Sequence, residues 1–541
     1  MSRLVLLVLT LTFFISTHAQ ELLRPQLVVG VVVDQFRYDY LYRYHHHYGN
    51  DGFKKLLREG FSFRNAKFNY APTYTAPGHA AIYTGCGPSV NGIVANDWYS
   101  RKAGKNIYCV SDSTVTTVGS NTKAGLMSPR NLYTTTVTDE LKLHTNNRSK
   151  VIGISLKDRG AVLPAGHTGN AAYWFDTGSG NWITSSYYMQ QLPQWLQNYN
   201  NKKRPDHFLQ QKWELSLAAD KYTGSTADNV PYETPLEGKQ TATFPYDLQQ
   251  MNAKYKILPY TPFGNEITKE IMFEAIKNEN MGKTKGVTDF LAVSFSTPDY
   301  AGHQFGINAI EIEDIFIKFD KNIAEIINYL DTNIGKGNYL FFITSDHGAA
   351  HNPLFLQDNN IPAGIFYSNA VRDSLKSFLN KKYNNADLIL ELTNQQVYLN
   401  HEIIKNRNLD KKVIENDIIE YFMEMDEVAD VMTSDMLNNY EYTYFPRNII
   451  QRGYNRTRSG DIAIILKPGW IDWFRPGGTT HGSAYNYDTH APLIFYGWNV
   501  KPGNSEEAVF ITDIAPTLSS MLNISFPNGA TGRPLNGLFQ K

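Results

Sequence analysis

Four segments of the sequence are long apolar runs that end in polar or charged side chains: LVVGVVVDQ, VIGISLKDR, FLAVSFSTPD and NYLFFITSDHG. A strand buried on both faces carries a continuous apolar run, which is the pattern of a parallel sheet covered by helices. Helical patterns lie between the runs, and in residues 311–330 apolar residues recur at spacings of three and four. We therefore predict an α/β fold with a largely parallel central sheet flanked by helices.

Polar residues capable of catalysis follow each of these predicted strands. In sheets of this kind, ligands bind beyond the carboxyl ends of the strands, so these side chains are expected to meet at one edge. The residues in question are Asp34; Lys157 and Arg159; Asp299 and His303; and Asp346 and His347.

In two of these pairs, the side chains can converge only if the chain adopts a particular local structure. Asp299 and His303 are four residues apart, so both can face one cation if the chain turns helically after the strand. Asp346 and His347 are adjacent and can converge only from a turn, which the following Gly348 permits.

The late segment GTTHGSAYNYDTHAPL adds His481 and His490. Such a set of carboxylates and imidazoles suits zinc, and two clusters would allow a paired site that clamps the attacking and leaving oxygens.

The segment APTYTAPGHAAIYTG places a hydroxyl residue, Thr75, directly before Ala-Pro-Gly. One interpretation is structural: Thr75 caps a short helix, and Pro77 sits in its first turn. The other is chemical, because the start of a helix favours a developing negative charge on a nucleophile or a bound phosphate. An alcohol also needs a base or a metal to activate it, so this segment alone leaves both interpretations open.

Two stretches interrupt the alternating pattern and are interpreted as insertions, at about 161–264 and about 368–459. The first is rich in Tyr, Trp, Asn and Gly, and we expect it to form a cap over or beside the sheet. The second has its own helix-strand-helix-strand pattern, which predicts a small α+β lobe. The run IAIILKPGW at 462–470 is expected to return the chain to the main sheet.

Composition and charge limit the possible partners. The chain has 541 residues, of which 42% are hydrophobic, and its 51 Lys and Arg residues nearly balance its 52 Asp and Glu residues. The length and the hydrophobic fraction suffice for a large core. The balanced charge gives no general electrostatic attraction to nucleic acid. Residues 1–19 have the basic start, apolar run and small residues of a signal peptide, so we expect an exported protein, periplasmic or secreted. The apolar run is too short to span a bilayer and no later segment is long enough, so no stable membrane insertion is expected.

The cysteines and a histidine run complete the list of conspicuous residues. Cys86 and Cys109 are a candidate disulfide in an oxidising compartment, although the sequence does not supply the geometry. The run His45-His46-His47 is interpreted as surface or packing rather than a metal site, because three adjacent side chains cannot all converge.

Taken together, these motifs resemble the alkaline phosphatase superfamily, and in particular its secreted PafA-type alkaline phosphatases, which are related to nucleotide pyrophosphatase/phosphodiesterases. The segments that carry the resemblance are VVVDQFR, YTAPGHA, VANDWY, SLKDR, STPDYAGH, TSDHG and TTHGSAYNYDTHAPL. The closing segment FITDIAPTLSSMLNISFPNGATGRPL is similar as well. The resemblance implies an alkaline-phosphatase-like fold, with residues 20–541 forming a single catalytic domain that includes both insertions.

The resemblance also implies roles for individual residues. One zinc ion would be held by Asp299, His303 and His481, and the other by Asp34, Asp346 and His347. Thr75 would be the nucleophile and bind the second zinc, while Asn96, Lys157 and Arg159 would contact the phosphoryl oxygens. His481 is preferred to His490 because the ligand of the family precedes Gly; an additional cation such as calcium is left open.

The implied function is hydrolysis of small phosphate monoesters through a phosphothreonine intermediate, which would scavenge phosphate outside the cytoplasm. In the resembling family the Lys-x-Arg pair, here Lys157 and Arg159, accompanies monoesterase activity. A phosphodiesterase or nucleotide pyrophosphatase with the same metals, and a non-catalytic protein that binds metal or phosphate, are the alternatives. We expect the protein to be a monomer.

Overall fold

A large mixed sheet forms the centre of the protein. The computed structural model describes residues 24–251 and 253–539, and within these it contains an eleven-stranded sheet. In spatial order its strands are His490–Ala491, Phe61–Lys67, Leu493–Gly497, Tyr339–Thr344, Leu27–Val33, Asp289–Phe295, Val151–Ser155, Ala171–Asp176, Asn181–Ser185 and Thr117–Val118, with Gly503–Phe510 pairing beside Phe61–Lys67.

The four predicted strands are confirmed, and they lie side by side in the middle of this sheet. They pair in parallel in the order Tyr339–Thr344, Leu27–Val33, Asp289–Phe295 and Val151–Ser155, and every residue in them is buried. The register pairs Val33 with Phe295, so neighbouring strands end at the same level. Antiparallel strands occupy both margins. The predicted α/β fold is thus confirmed, with its parallel part concentrated at the centre.

Helices cover both faces of the sheet, because alternate residues of the central strands point to opposite sides. Val29, Val31 and Val33 pack on the face that carries helices Pro262–Asn278 and Ile310–Leu330. Val28 and Val32 pack on the other face, which carries Thr75–Thr84, Val137–His144 and Ile514–Leu522. The other α-helices outside the lobe are Tyr40–Arg43, Phe53–Glu59, Pro88–Asn91, Asp158–Ala165, Gln194–Asn201, Arg204–Leu209, Thr297–Phe305, Pro353–Asp358 and Asn486–Thr489.

The second insertion forms a lobe with its own core. Its four-stranded sheet has the order Ile389–Thr393, Gln396–Leu399, Ile462–Leu466, Val428–Thr433. Its helices are Ser368–Lys382, His401–Asn406, Lys411–Met423, Ser434–Asn439 and Arg447–Gly453.

The prediction that residues 462–470 return to the main sheet is wrong. Strand Ile462–Leu466 pairs antiparallel with two strands of the lobe. Residues 462, 464 and 466 face one small core and 463 and 465 face another, so this strand is apolar on both faces like a central strand. The chain returns to the main sheet only at His490–Ala491 and Leu493–Gly497.

The first predicted insertion also differs from the structure at its start. Residues 161–165 complete helix Asp158–Ala165, and the strands Ala171–Asp176 and Asn181–Ser185 belong to the main sheet. The following residues fold outside the sheet, where Lys212–Trp213 pairs with Tyr246–Asp247. Trp213 stacks on Tyr246 at 5.1 Å between ring centroids, so the aromatic residues here serve packing.

Two further expectations concern the cysteines and the N-terminus. Cys86 and Cys109 are both buried free thiols, so the candidate disulfide is not formed. Among the residues that the structure describes, no helix combines the length and apolarity needed to cross a membrane. The predicted signal peptide, residues 1–19, lies outside the described part of the chain.

Candidate active site

The side chains predicted at the strand ends come together at the carboxyl edge of the sheet. Asp34 directly follows strand Leu27–Val33, and Asp346 and His347 follow Tyr339–Thr344 in a turn. His347 Nε2 lies 3.3 Å from an oxygen of Asp34, 3.7 Å from one of Asp346 and 4.0 Å from one of Asp299. One buried imidazole therefore faces three buried carboxylates.

Helix Thr297–Phe305 brings a second imidazole to the same place, because Asp299 and His303 lie one turn apart on it. The Nε2 atoms of His303 and His481 lie 3.2 Å and 3.5 Å from the same oxygen, Oδ1 of Asp299. The His481 ring stacks on that of His347, with 3.5 Å between centroids. Ligand atoms lie within 4.8 Å of one another in two groups that share His347: Asp34, Asp346 and His347, and Asp299, His347 and His481.

Hydrogen bonds around these histidines suit metal binding. In each of the three histidines, Nδ1 lies within hydrogen-bond distance of a backbone carbonyl oxygen. The pairs are His303 with Thr479 at 2.8 Å, His347 with Gly348 at 2.9 Å and His481 with Thr73 at 2.7 Å. A carbonyl only accepts, so Nδ1 carries the proton, and Nε2 offers its lone pair to the centre of the site.

The carboxylates give a second indication of the same kind. Asp34 Oδ1 and Asp346 Oδ2 are buried, and neither has a hydrogen-bond partner among residues 24–251 and 253–539. A buried carboxylate oxygen is costly unless a cation or a donor compensates it. Together with the three imidazoles, the donor set fits divalent cations such as zinc.

Thr75 points into this cluster. Helix Thr75–Thr84 has Tyr74 as its N-cap, and no side chain caps it, so the capping interpretation of Thr75 is wrong. The Thr75 hydroxyl oxygen instead lies 3.4 Å from His347 Nε2 and 3.5 Å from Arg159 Nη2. The free amide of Ala76 donates to the side-chain carbonyl of Asn96 at 2.9 Å.

A close backbone approach holds this helix against the cluster. A Cβ atom at Gly78 would lie only 2.2 Å from the carbonyl oxygen of Asp346, so only glycine allows the contact. One turn of helix beyond Thr75, His79 uses both ring nitrogens, Nδ1 with the Thr75 carbonyl and Nε2 with the Ser294 hydroxyl, each at 2.9 Å. His79 is therefore a positioning residue for the start of the helix.

Two cationic side chains complete the site. The ammonium of Lys157 donates to Asp34 Oδ2 at 2.6 Å and also to Asp299, and it lies 5.0 Å above the Tyr300 ring. The Arg159 guanidinium donates to the hydroxyl of Tyr108 at 3.0 Å, while its other arm reaches Thr75. Both cations thus lie beside the threonine hydroxyl or its neighbouring carboxylates.

The electrostatics of the site favour bound cations. Burial and the charge of Asp299 raise the pKa of Asp34, but Lys157 and His347 outweigh them and bring it to about 2. Burial opposes a charge on His347, yet Asp346 and Asp34 raise its pKa to about 9, so without a metal ion Nε2 binds a proton, and a bound cation would take the place of that proton. Burial and the nearby His347 lower the pKa of His481 to about 3, which keeps its imidazole neutral.

Sequence reasoning missed three residues that support the site. Gln35 adopts a left-handed backbone, with φ of 62°, and its side-chain amide donates to Asp299 at 2.9 Å. Gln35 lies inside the motif VVVDQFR, so its position was available as a signal. Tyr300 lies beside the Lys157 ammonium and is likewise inside a quoted motif, STPDYAGH. Tyr108 accepts a hydrogen bond from Arg159, and nothing near it in the sequence indicates that contact.

His490 lies away from the cluster. It pairs with Lys67 in the sheet, its Nε2 faces the Arg64 carbonyl at 2.8 Å, and its ring stacks on Tyr38 with 4.1 Å between centroids. Of the two late histidines, only His481 lies beside Asp299.

A cleft opens next to the site. Its volume is about 650 Å³, and its walls include Tyr74 and Thr480, the neighbours of Thr75 and His481, together with Trp473 and Phe474. Trp473 stacks on His303 at 5.2 Å between ring centroids. The cleft therefore offers room for an organic group next to the segments that carry Thr75 and His481.

A threonine at the start of a buried helix, facing clustered Asp and His residues at the edge of an α/β sheet, is the arrangement that the resemblance to the alkaline phosphatase superfamily implies. The sequence model of the type I phosphodiesterase / nucleotide pyrophosphatase family matches residues 28–487, and the chain belongs to this family.

Two relatives of known name match the chain over nearly their whole length. The chain is 47% identical over 526 residues to a protein of Myroides odoratus named calcium-transporting ATPase, covering 96% of each chain. It is 45% identical over 526 residues to alkaline phosphatase PhoV of Synechococcus elongatus, covering 97% of this chain and 95% of PhoV.

A solved structure agrees as well. The crystal structure of wild-type alkaline phosphatase PafA has a TM-score of 0.92 to this chain at 43% identity, over 95% of this chain and 98% of PafA. PafA has also been solved with one Thr, one Asn, one Lys and one Arg substituted. The predicted resemblance to PafA-type enzymes is confirmed.

Proposed function

We propose that this protein is a zinc-dependent phosphomonoesterase of the alkaline phosphatase type that works through a phosphothreonine intermediate on Thr75. The observation that carries the proposal is the position of the Thr75 hydroxyl, 3.4 Å from His347 and 3.5 Å from Arg159 at the edge of the Asp and His cluster. The names of PhoV and PafA, both alkaline phosphatases, support the proposal.

Six residues would hold two zinc ions. Asp299, His303 and His481 would bind one, and Asp34, Asp346 and His347 the other, as the family resemblance implies. When bound, such ions favour the deprotonated threonine and stabilise negative charge on the attacking and leaving oxygens.

The side chains of the protein account for the remaining steps. The Thr75 oxygen forms a bond to phosphorus as the ester P–O bond breaks, and the leaving alcohol takes up a proton. Water then attacks phosphorus, phosphate is released and the threonine hydroxyl is restored. Arg159 and Lys157 stabilise the charge on the other phosphoryl oxygens, and Asn96 contacts the group from beside the helix start.

Charge supports small phosphate monoesters as the substrates. A monoester dianion carries one more negative charge than a diester, and two cations at the site compensate it better. PafA was altered at the same four residue types, in the same chain order, as Thr75, Asn96, Lys157 and Arg159. The cleft of about 650 Å³ beside Thr75 would receive the organic group.

A phosphodiesterase is the second candidate. The aromatic wall of the cleft, with Trp473 and Phe474, could hold the additional organic group of a diester, and the family description names diester substrates. The same site chemistry would also cleave a phosphoanhydride such as ATP. ATP should therefore be among the substrates assayed, because the Myroides relative is named an ATPase.

Removal of the metal is expected to abolish turnover. The cluster contains three buried carboxylates, so without divalent cations it repels an anionic substrate. Dialysis against a chelator should reduce hydrolysis of p-nitrophenyl phosphate to background, and zinc should restore it. Circular dichroism before and after dialysis controls for unfolding, and full activity of a folded, metal-free protein would contradict the proposal.

The two late histidines provide a matched pair of variants. His481→Ala removes an imidazole next to Asp299 and is expected to lower kcat/KM for p-nitrophenyl phosphate by at least ~10²-fold, since metal affinity falls when a site loses a ligand. His490→Ala changes a residue stacked on Tyr38 and is expected to keep activity within a few-fold of the wild type. Equal losses in both variants would contradict the assignment of His481 as the ligand.

We also propose that the protein is exported, to the periplasm or the medium. The pattern of residues 1–19 supports this, and phosphate scavenging requires contact with external esters. Cell fractionation with N-terminal sequencing tests it: the protein is expected outside the cytoplasm, starting after Ala19. A protein confined to the cytoplasm with its first residues intact would contradict export.

A further inference from the structure

The run His45–His47 does not simply lie on the surface. It forms a short 3₁₀ turn, in which His45 and His46 are exposed and His47 is half-buried. Glu313, from helix Ile310–Leu330, faces this turn. One ligand atom from each of His46, His47 and Glu313 lies within 4.8 Å of the other two. Two adjacent imidazoles and a distant carboxylate therefore converge, although three adjacent side chains cannot.

The carboxylate of Glu313 is fully buried and only partly compensated. Its Oε1 lies 3.2 Å from His47 Nε2 and accepts from the Gly224 amide at 3.3 Å. Its Oε2 has no hydrogen-bond partner among residues 24–251 and 253–539. Arg43 is nearby, but its guanidinium donates to the carbonyls of Gly224 and Ile307. A buried carboxylate oxygen in this position gains most from a cation.

His46 stands beside His47 in this cluster. Their ring centroids lie 3.8 Å apart, so both imidazoles can contact one ion. His46 Nε2 lies 3.3 Å from the Thr223 hydroxyl, within the segment that folds outside the sheet. Two neighbouring imidazoles and a carboxylate form a ligand set that suits a transition metal.

We propose that His46, His47 and Glu313 form a peripheral site for a divalent transition-metal ion such as zinc, separate from the six-residue cluster at the sheet edge. Imidazole nitrogens exclude calcium and magnesium, which prefer sets of oxygen ligands. Exposed His46 leaves the site open to solvent, so the ion can enter and a water can complete its coordination. An ion bound here would connect the turn to helix Ile310–Leu330.

The number of bound zinc ions tests the proposal. The full chain, His46→Ala/His47→Ala and the matched control His45→Ala would each be dialysed against buffered zinc alone and measured by mass spectrometry of the metal. The wild type and His45→Ala are expected to hold about one zinc per chain more than the double variant, with equal turnover of p-nitrophenyl phosphate in all three. Equal zinc content in all three would overturn the proposal, whether or not the enzyme is active.

A milder variant covers the case in which the double variant does not fold. His46→Ala removes only an exposed side chain, and titration against a competing chelator should show one zinc bound at least ~10-fold more weakly than in the wild type. Zinc should raise the melting temperature of His45→Ala more than that of His46→Ala. Identical zinc affinities and identical thermal shifts in these two variants would show that the turn binds no metal.

Discussion

Thr75→Ala is expected to lower the turnover of phosphate monoesters by ~10⁴-fold or more, which is the scale seen when the nucleophile of a covalent mechanism is removed. Thr75 is the only residue to which we assign bond formation with phosphorus, and its hydroxyl lies 3.4 Å from His347. Steady-state kinetics with p-nitrophenyl phosphate measures the loss.

Two controls separate chemistry from folding in this experiment. The Thr75 hydroxyl caps no backbone amide, so Thr75→Ala should retain the unfolding midpoint of the wild type within error. At saturating zinc, the six Asp and His residues should still hold the metal in this variant. Thr75→Ser restores a hydroxyl at the same position and should recover much of the activity. Wild-type rates in Thr75→Ala would contradict a covalent mechanism, and bound phosphate without turnover in the wild type would favour a binding protein.

Lys157→Ala/Arg159→Ala is expected to lower kcat/KM for monoesters by ~10²–10⁴-fold, since each hydrogen bond to a charged group contributes about 1.5–3 kcal/mol. Arg159 reaches within 3.5 Å of the Thr75 hydroxyl, and Lys157 contacts Asp34 at 2.6 Å. A diester has one charge fewer, so its hydrolysis should fall much less, and the ratio of the two rates should shift towards diesters.

Lys150→Ala provides the matched control for this variant. Lys150 precedes the same strand, Val151–Ser155, at the end opposite Lys157, and so lies away from the site. Its loss should leave both rates and their ratio unchanged. Parallel losses for monoester and diester in the double variant would mean that Lys157 and Arg159 hold the site together rather than select the dianion.

Apolar pattern predicted the centre of the fold because the central strands are buried on both faces. The same criterion failed for Ile462–Leu466, which is also apolar on both faces but lies between two small cores of the lobe. A run of five apolar residues indicates burial and does not identify the sheet. The partner strands, which are far away in the sequence, decide that assignment.

The site was predictable to the extent that its residues follow strands. Asp34 and Asp346 follow the ends of neighbouring parallel strands, so their meeting follows from the register. Asp299 lies in the first turn of the helix after the adjacent strand, Asp289–Phe295, and reaches the same edge from there. Their assignment to particular metals came from family resemblance. The contact of Tyr108 with Arg159 depends on a hairpin, Asp97–Ser100 with Lys105–Tyr108, folding over the helix that begins at Asp158. No local pattern encodes such a contact between segments.

The most direct test of the central claim compares initial rates of the zinc-loaded wild-type protein on p-nitrophenyl phosphate and bis-p-nitrophenyl phosphate at mildly alkaline pH. The two cations beside Thr75 predict that the monoester is preferred by several orders of magnitude. A preference for the diester would contradict the monoesterase assignment. The protein would then be a phosphodiesterase that uses the same threonine nucleophile.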